Sequence, residues 1–176
     1  TDVDNRILQN EGLYYIYDVE GNVTEGRVGS ASGPLAARIT WDHRNRLTKI
    51  VYYDLEEEVE TPVFAVSYTY DVHDRRISRF VDNLADGIIE NRDYFYYDDD
   101  DVVLTLSQDL SVEHRYLHGP MVDQILADEA YSESTGLLDD VYWPVTDHQG
   151  SVRNLFTDTG GRVELSAEEV GEVGGG

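Results

Sequence analysis

The carboxylates and imidazoles of this chain are the side chains whose grouping first suggests chemistry. Asp98-Asp99-Asp100-Asp101 is the densest acidic run, and its oxygens are of the kind Ca²⁺ gathers, about six to eight at a time. Adjacent carboxylates on a tight turn point in different directions, however, and no Glu follows at the spacing of a calcium loop, so the run reads as a solvated hairpin tip. Glu56-Glu57-Glu58 reads the same way. His114, His118 and His148 would suit zinc, because strand positions four apart share a face. The third ligand would have to come from a separate segment, and a His one or two places before a glycine, as His118 is to Gly119 and His148 to Gly150, fits a turn better. Paired carboxylates can hydrolyse glycosides, but 36 acids supply many pairs and nothing singles one out. Ser151 follows Gly150 without the strand-to-helix setting of a nucleophile elbow. There is no cysteine, which removes disulfides, thiolate metal sites and thiol nucleophiles. The residues therefore predict no catalytic, cofactor-binding or metal site, and a protein that is not an enzyme.

The elements that carry these side chains repeat a phrase. An aromatic segment ends in Asp, two free residues follow, then a turn-competent residue, one more residue, and the start of a new apolar run. It occurs as Tyr15-Ile16-Tyr17-Asp18 through Gly21 to Val23, Trp41-Asp42 through Asn45 to Leu47, and Tyr68-Thr69-Tyr70-Asp71 through Asp74 to Ile77. It returns at Tyr96-Tyr97-Asp98, with Asp101 in the turn position, and at Asp147-His148-Gln149-Gly150, and a weaker copy opens at Asp158 with Gly161. Asp ends each strand because its carboxylate accepts hydrogen bonds from backbone N–H groups just downstream. Gly, Asn and Asp best tolerate the positive φ that a bulged hairpin needs. The opening aspartates lie about 24, 29, 27 and 49 residues apart, so the unit is a hairpin and the chain an array.

Around the turns, Tyr, Val and Ile alternate with polar residues, the pattern of half-buried strands. The runs cover 13–18, 22–28, 37–41, 46–53, 63–70, 76–81, 88–97, 102–106, 112–117, 124–127, 140–143, 151–156 and 162–165. A short helical turn is expected around 128–132. Loops join the hairpins at 29–34, 54–58, 82–87 and 132–136. The fold class is all-β, repeated antiparallel hairpins forming a curved or spiralling sheet over residues 1–165. The acidic, Gly-rich stretch 166–176 reads as a disordered tail. Six of the 13 tyrosines, Tyr15, Tyr17, Tyr68, Tyr70, Tyr96 and Tyr97, stand within three residues before a turn Asp, where a ladder of rings from neighbouring repeats would stabilise cross-strand pairs by about 0.2–1 kcal/mol each.

The net charge of −23, from 36 acids against 13 Lys and Arg, is spread over every segment. Nucleic acid and anionic membrane both want a basic patch, so neither is an expected partner, and no run approaches the length that crosses a membrane as a helix. The surface suits a saline or extracellular setting.

The aromatic-x-Tyr-Asp-x-x-Gly-Arg-aliphatic phrase resembles the YD repeat of Rhs (rearrangement hotspot) and YD-repeat proteins, a group that includes teneurins and the C subunits of insecticidal toxin complexes. Arg115-Tyr116-Leu117-His118-Gly119-Pro120, followed by Thr146-Asp147-His148-Gln149-Gly150-Ser151-Val152-Arg153, resembles the Rhs-associated core. The resemblance covers residues 13–165. It implies a β-ribbon spiralling into a hollow shell that encloses or displays a polymorphic toxin or effector in bacterial members, or serves adhesion in others. It also implies a secreted or cell-surface bacterial protein, with further YD repeats of the parent and an enclosed segment as partners. The alternative is a surface recognition module for glycan, calcium or protein. The family's Asp-Pro self-cleavage motif has no counterpart, since no Asp-Pro occurs, and Asn45 and Asp101 stand where the family has Gly.

Overall fold

The computed structural model describes residues 6–56, 59–120, 124–147 and 152–163. Among them there is no helix; the chain is all-β, with thirteen strands that pair antiparallel with their sequence neighbours. They fall into two compact units, one up to Tyr94 and one from Phe95 onward.

The first unit runs β1 (Gln9–Asn10), β2 (Leu13–Tyr17), β3 (Val23–Val28), β4 (Leu35–Trp41), β5 (Leu47–Tyr53), β6 (Pro62–Tyr70) and β7 (Arg76–Asp82), then the start of β8 (Asn91–Asp98). Among the described residues, each strand pairs with the strands before and after it. Glu11 and Gly12, with φ of 49° and 83°, make the two-residue turn from β1 to β2, the geometry whose twist matches paired strands. Registered rows cross the sheet: Tyr15, Gly26, Ala37, Tyr52 and Phe64 form one, and Ile39, Ile50, Val66 and Val81 another on the same face. Because sheet side chains alternate with period two, these rows gather the apolar residues. Tyr52 and Phe64 meet at 5.9 Å between ring centroids.

The second unit contains the end of β8, then β9 (Asp101–Leu106), β10 (Val112–His118), β11 (Ile125–Tyr131), β12 (Leu138–Thr146) and β13 (Val152–Thr157), again in chain order. Burial is sparse. Leu35, Ala65, Val66 and Ala127 are the buried apolar residues, and no large side chain is fully buried among the described residues. Cohesion therefore comes from strand pairing and neighbour contacts rather than from a packed interior, as in repeat arrays.

Several expectations need correction. The segment expected as a helical turn at 128–132 is strand through Tyr131, because β11 pairs on both edges, with β10 and β12. Of the last expected strand, Arg162 makes a single bridge to Phe156, and 164–165 lie outside the described residues, as does the 166–176 tail. Asp82 belongs to β7 rather than to the following loop. The short strand β1 carries no sequence signal, since two polar residues show no alternation.

Candidate functional site: the stacked turn edge

Three turns of the first unit share one hydrogen-bond pattern. The N–H of the opening Asp donates to the carbonyl four residues on: Asp18 to Asn22 at 2.9 Å, Asp42 to Arg46 at 3.0 Å, Asp71 to Arg75 at 3.0 Å. The N–H of the third residue after the Asp donates back to the Asp carbonyl, from Gly21 at 3.3 Å, Asn45 at 3.0 Å and Asp74 at 3.3 Å. That third residue holds positive φ: 94° at Gly21, 58° at Asn45 and 68° at Asp74. The strand register slips beside each turn, which is the signature of a bulged hairpin.

The Asp side chain closes the device as the sequence predicts. Asp18 Oδ1 accepts from the Asn22 N–H at 2.8 Å, and Asp42 and Asp71 Oδ1 accept from the Arg46 and Arg75 N–H groups at 3.0 Å. Asp42 Oδ1 also takes the Arg44 N–H, and Asp71 Oδ1 the His73 N–H, both at 2.8 Å. The other oxygen binds the fourth residue: Asn22 Nδ2 donates to Asp18 at 3.0 Å, and Nε of Arg46 and of Arg75 donates to its own turn Asp at 2.8 Å. The Arg46 side-chain hydrogen bond, with its charge and the turn N–H groups, lowers the Asp42 pKa to about 2 despite partial desolvation. At Asp18 and Asp71 desolvation raises the pKa, but hydrogen bonds from the fourth residue and from backbone N–H groups outweigh it, and the net shift is downward.

The aromatic residues before Asp42 and Asp71 reach back to the preceding hairpin. Trp41 Nε1 donates to the Val23 carbonyl at 2.8 Å, and the Tyr70 hydroxyl to the Leu47 carbonyl at 2.8 Å. Val23 and Leu47 each stand five residues after a turn Asp. The Tyr17 hydroxyl donates to the Ile7 carbonyl at 2.6 Å. The expected Tyr-on-Tyr ladder is replaced at two of these positions by guanidinium groups, Arg6 over Tyr17 at 5.1 Å and Arg46 over Tyr70 at 4.8 Å. Tyr15 lies in β2 opposite Gly26, and Tyr68 in β6 carries Arg76 over its ring at 5.4 Å.

In the second unit the same backbone pattern opens on hydroxyl residues that sequence reasoning passed over. Ser107 pairs with Ser111 and Leu110, and Thr157 with Gly161 and Gly160, with φ of 67° at Leu110 and 81° at Gly160. At the first, the carboxylate sits two places later: Asp109 accepts from the Ser107 and Ser111 hydroxyls at 2.5 and 2.7 Å, and these bonds lower its pKa to about 2. The readable signal was the five-residue gap between Leu106 and Val112, equal to that at 18–22. Two expectations are corrected here: Thr157, not Asp158, opens the last turn, and Gly160, not Gly161, takes positive φ. The fourth copy is corrected too. Asp98 ends β8, Asp101 begins β9, and the positive φ falls on Asp99 at 54°, because the two-residue turn 99–100 leaves no room for a bulge. Tyr97 lies in β8.

The core-like phrases form a second cluster on β10. His114 Nδ1 pairs with Asp128 Oδ1 at 2.7 Å, and its ring stacks on Tyr116 at 5.9 Å. The Asp128 hydrogen bond raises the His114 pKa, and burial raises that of Tyr116. His118 Nε2 meets the Val102 carbonyl at 2.8 Å, while Nδ1 is buried 3.7 Å from Asp101 Oδ1. Gly119 donates its N–H to the Gln124 carbonyl at 2.8 Å. Asp147 accepts from Arg153 Nε at 2.7 Å. His148 and Gly150 lie outside the described residues.

Among the described residues the acidic side chains that come together are not the Asp98 run but Asp82, Asp86 and Glu90, with oxygens within 4.8 Å of one another. These oxygens already cap the β7–β8 loop: Asp82 accepts from the N–H groups of Asp86 and Gly87 at 3.1 and 2.8 Å, and Glu90 from that of Asn83 at 2.7 Å.

No protein-family model matches the chain, and no curated protein sequence matches it. Among solved structures it is similar to a chain in a mutant Photorhabdus luminescens Tc holotoxin pore, at 12% identity and a TM-score of 0.44. The likeness covers 86% of this chain and 9% of that one, so the chain spans under a tenth of its neighbour's length.

Proposed function

We propose that this chain is a noncatalytic structural segment of an Rhs/YD-repeat protein, part of a β-shell that encapsulates or displays a toxin or effector. The observation that supports this best is the recurrence of one turn device, two successive copies of which are tied to their predecessors by an aromatic donor onto a backbone carbonyl: Trp41 to Val23 and Tyr70 to Leu47. A device that fastens each hairpin to the one before it suits a continuous wall. The sparse burial points the same way, since a single layer gains stability by lateral extension.

The test is imaging and proteolysis of the natural full-length protein. The expected result is a wall of further hairpins continuing from this segment, with an enclosed portion cut only after the wall is unfolded. A full-length protein in which this segment stands as an isolated module, with no further hairpins beside it, would refute the reading.

A further inference from the structure

We propose that the residues three and four places after each turn Asp form a directional pairing code, which selects the turn that stacks on the one before it. The inference deepens the structural reading above and rests on it only for the premise that turns stack in series. In two successive steps the donor is the fourth residue of one turn and the acceptor the third residue of the next. Asn22 (18 + 4) donates Nδ2 to Asn45 Oδ1 (42 + 3) at 3.0 Å. Arg46 (42 + 4) donates Nη1 to Asp74 Oδ1 (71 + 3) at 2.9 Å. Arg44 adds Nη2 to Asp74 Oδ2 at 2.7 Å and Nη1 to the Val72 carbonyl at 3.2 Å. Arg46 completes the step with a bond to the Asp71 carbonyl at 3.0 Å.

The chemistry is matched within each step, amide to amide and guanidinium to carboxylate. A guanidinium presents five N–H donors in a rigid fork, enough to hold its own Asp42 and the next turn together. This explains why Asn and Asp replace Gly at the third position. Glycine adopts φ near 60° without steric cost, whereas Asn and Asp adopt it with some strain. The strain is offset by an acceptor that glycine lacks. Gly21 accepts no side-chain donor in this pattern, while Asn45 and Asp74 each do. Exchange of partners is penalised: Arg46 facing an amide keeps Asp42 but loses its second counter-charge, and an Asp facing Asn22 adds an uncompensated carboxylate to a chain of net charge −23. The kind of partner each turn takes is thus another turn of the same phrase whose third residue complements its fourth.

The experiment is thermal unfolding of the 176-residue chain with Asp74→Gly, Asp74→Asn and Asn45→Gly. If the third residue served only its backbone conformation, glycine would leave the melting temperature unchanged or raise it. The code predicts the opposite sign, a fall of about 2–4 °C for Asp74→Gly, a smaller fall for Asp74→Asn, and a fall for Asn45→Gly. With Arg44→Ala and Arg46→Ala already in place, Asp74→Gly is expected to be neutral or stabilising, because only the strain remains to be relieved. Unchanged or raised melting by both glycine variants in the native background overturns the code. That outcome leaves the shell reading standing on its aromatic fastenings, whereas an isolated module in the full-length protein would refute the shell reading and not these couplings.

Discussion

The Tyr70 hydroxyl donates to the Leu47 carbonyl at 2.8 Å, bridging 23 residues of sequence and two adjacent hairpins. Phenylalanine keeps the ring, its place under Arg46, and loses only the donor. Tyr70→Phe is expected to cost about 0.5–1.5 kcal/mol, since a part-buried carbonyl loses its partner. Urea unfolding measures this, and an unchanged midpoint would show that the carbonyl is equally well served by solvent.

Acid should loosen the turns. The folded-state pKa of Asp42 is depressed from 3.8 to about 2 by Arg46 and the turn N–H groups, and that of Asp109 to about 2 by Ser107 and Ser111. A depressed carboxylate contributes stability above its unfolded pKa and loses it as pH falls through the folded value. Stability is therefore expected to decline between about pH 4 and pH 2. Asp42→Asn should flatten part of that decline while lowering stability at neutral pH, as read by denaturant midpoints across the range.

His114 works with the opposite sign. Its pKa is raised from 6.5 by the hydrogen bond to Asp128, with Glu113 adding negative potential; Thr105 faces it from β9 and carries no charge. A raised imidazole contributes stability that is fully present below its unfolded pKa and is lost as pH rises through the folded one. The link between β10 and β11 should weaken from about pH 6.5 upward. NMR titration of the His114 ring checks it: Asp128→Asn should bring the midpoint down, and no change would remove Asp128 as the cause.

Two glycines that look alike in sequence should respond differently to alanine. A Cβ on Gly33 would lie 1.8 Å from the Val28 backbone oxygen, in a loop where neither group can retreat cheaply. On Gly119 it would meet the end of the Gln124 side chain, 2.2 Å from Oε1, which can swing aside. Gly33→Ala is expected to destabilise by about 1–3 kcal/mol, and Gly119→Ala by less. Equal losses would mean that the Gln124 side chain is as fixed as backbone.

Much of the fold was legible because its causes are local. Asp18, Asp42 and Asp71 open the turns their position predicts, since an Asp carboxylate bonds N–H groups two to four residues away. The expected strands of the first unit match the observed ones to within about three residues, because alternation with period two survives in a half-buried sheet. The Asp98 copy misled because a run of four acids satisfies the phrase in more than one register, and backbone pairing chose the two-residue turn. Ser107 and Thr157 were missed because a hydroxyl can open the same turn without the carboxylate that made the phrase visible.

The sequence by itself determined the all-β class, the hairpin unit and the role of Asp18, Asp42 and Asp71, since these depend on groups within five residues of one another. Only the tertiary structure decided that Trp41 reaches Val23, that Tyr70 reaches Leu47 and that Arg46 reaches Asp74. Those contacts span 18 to 28 residues, and each requires the two intervening strands, with their bulges, to bring successive turns to one edge in register. A bulge shifts side-chain parity by one, so the partner of a given residue follows from how the strands pair and not from the phrase alone.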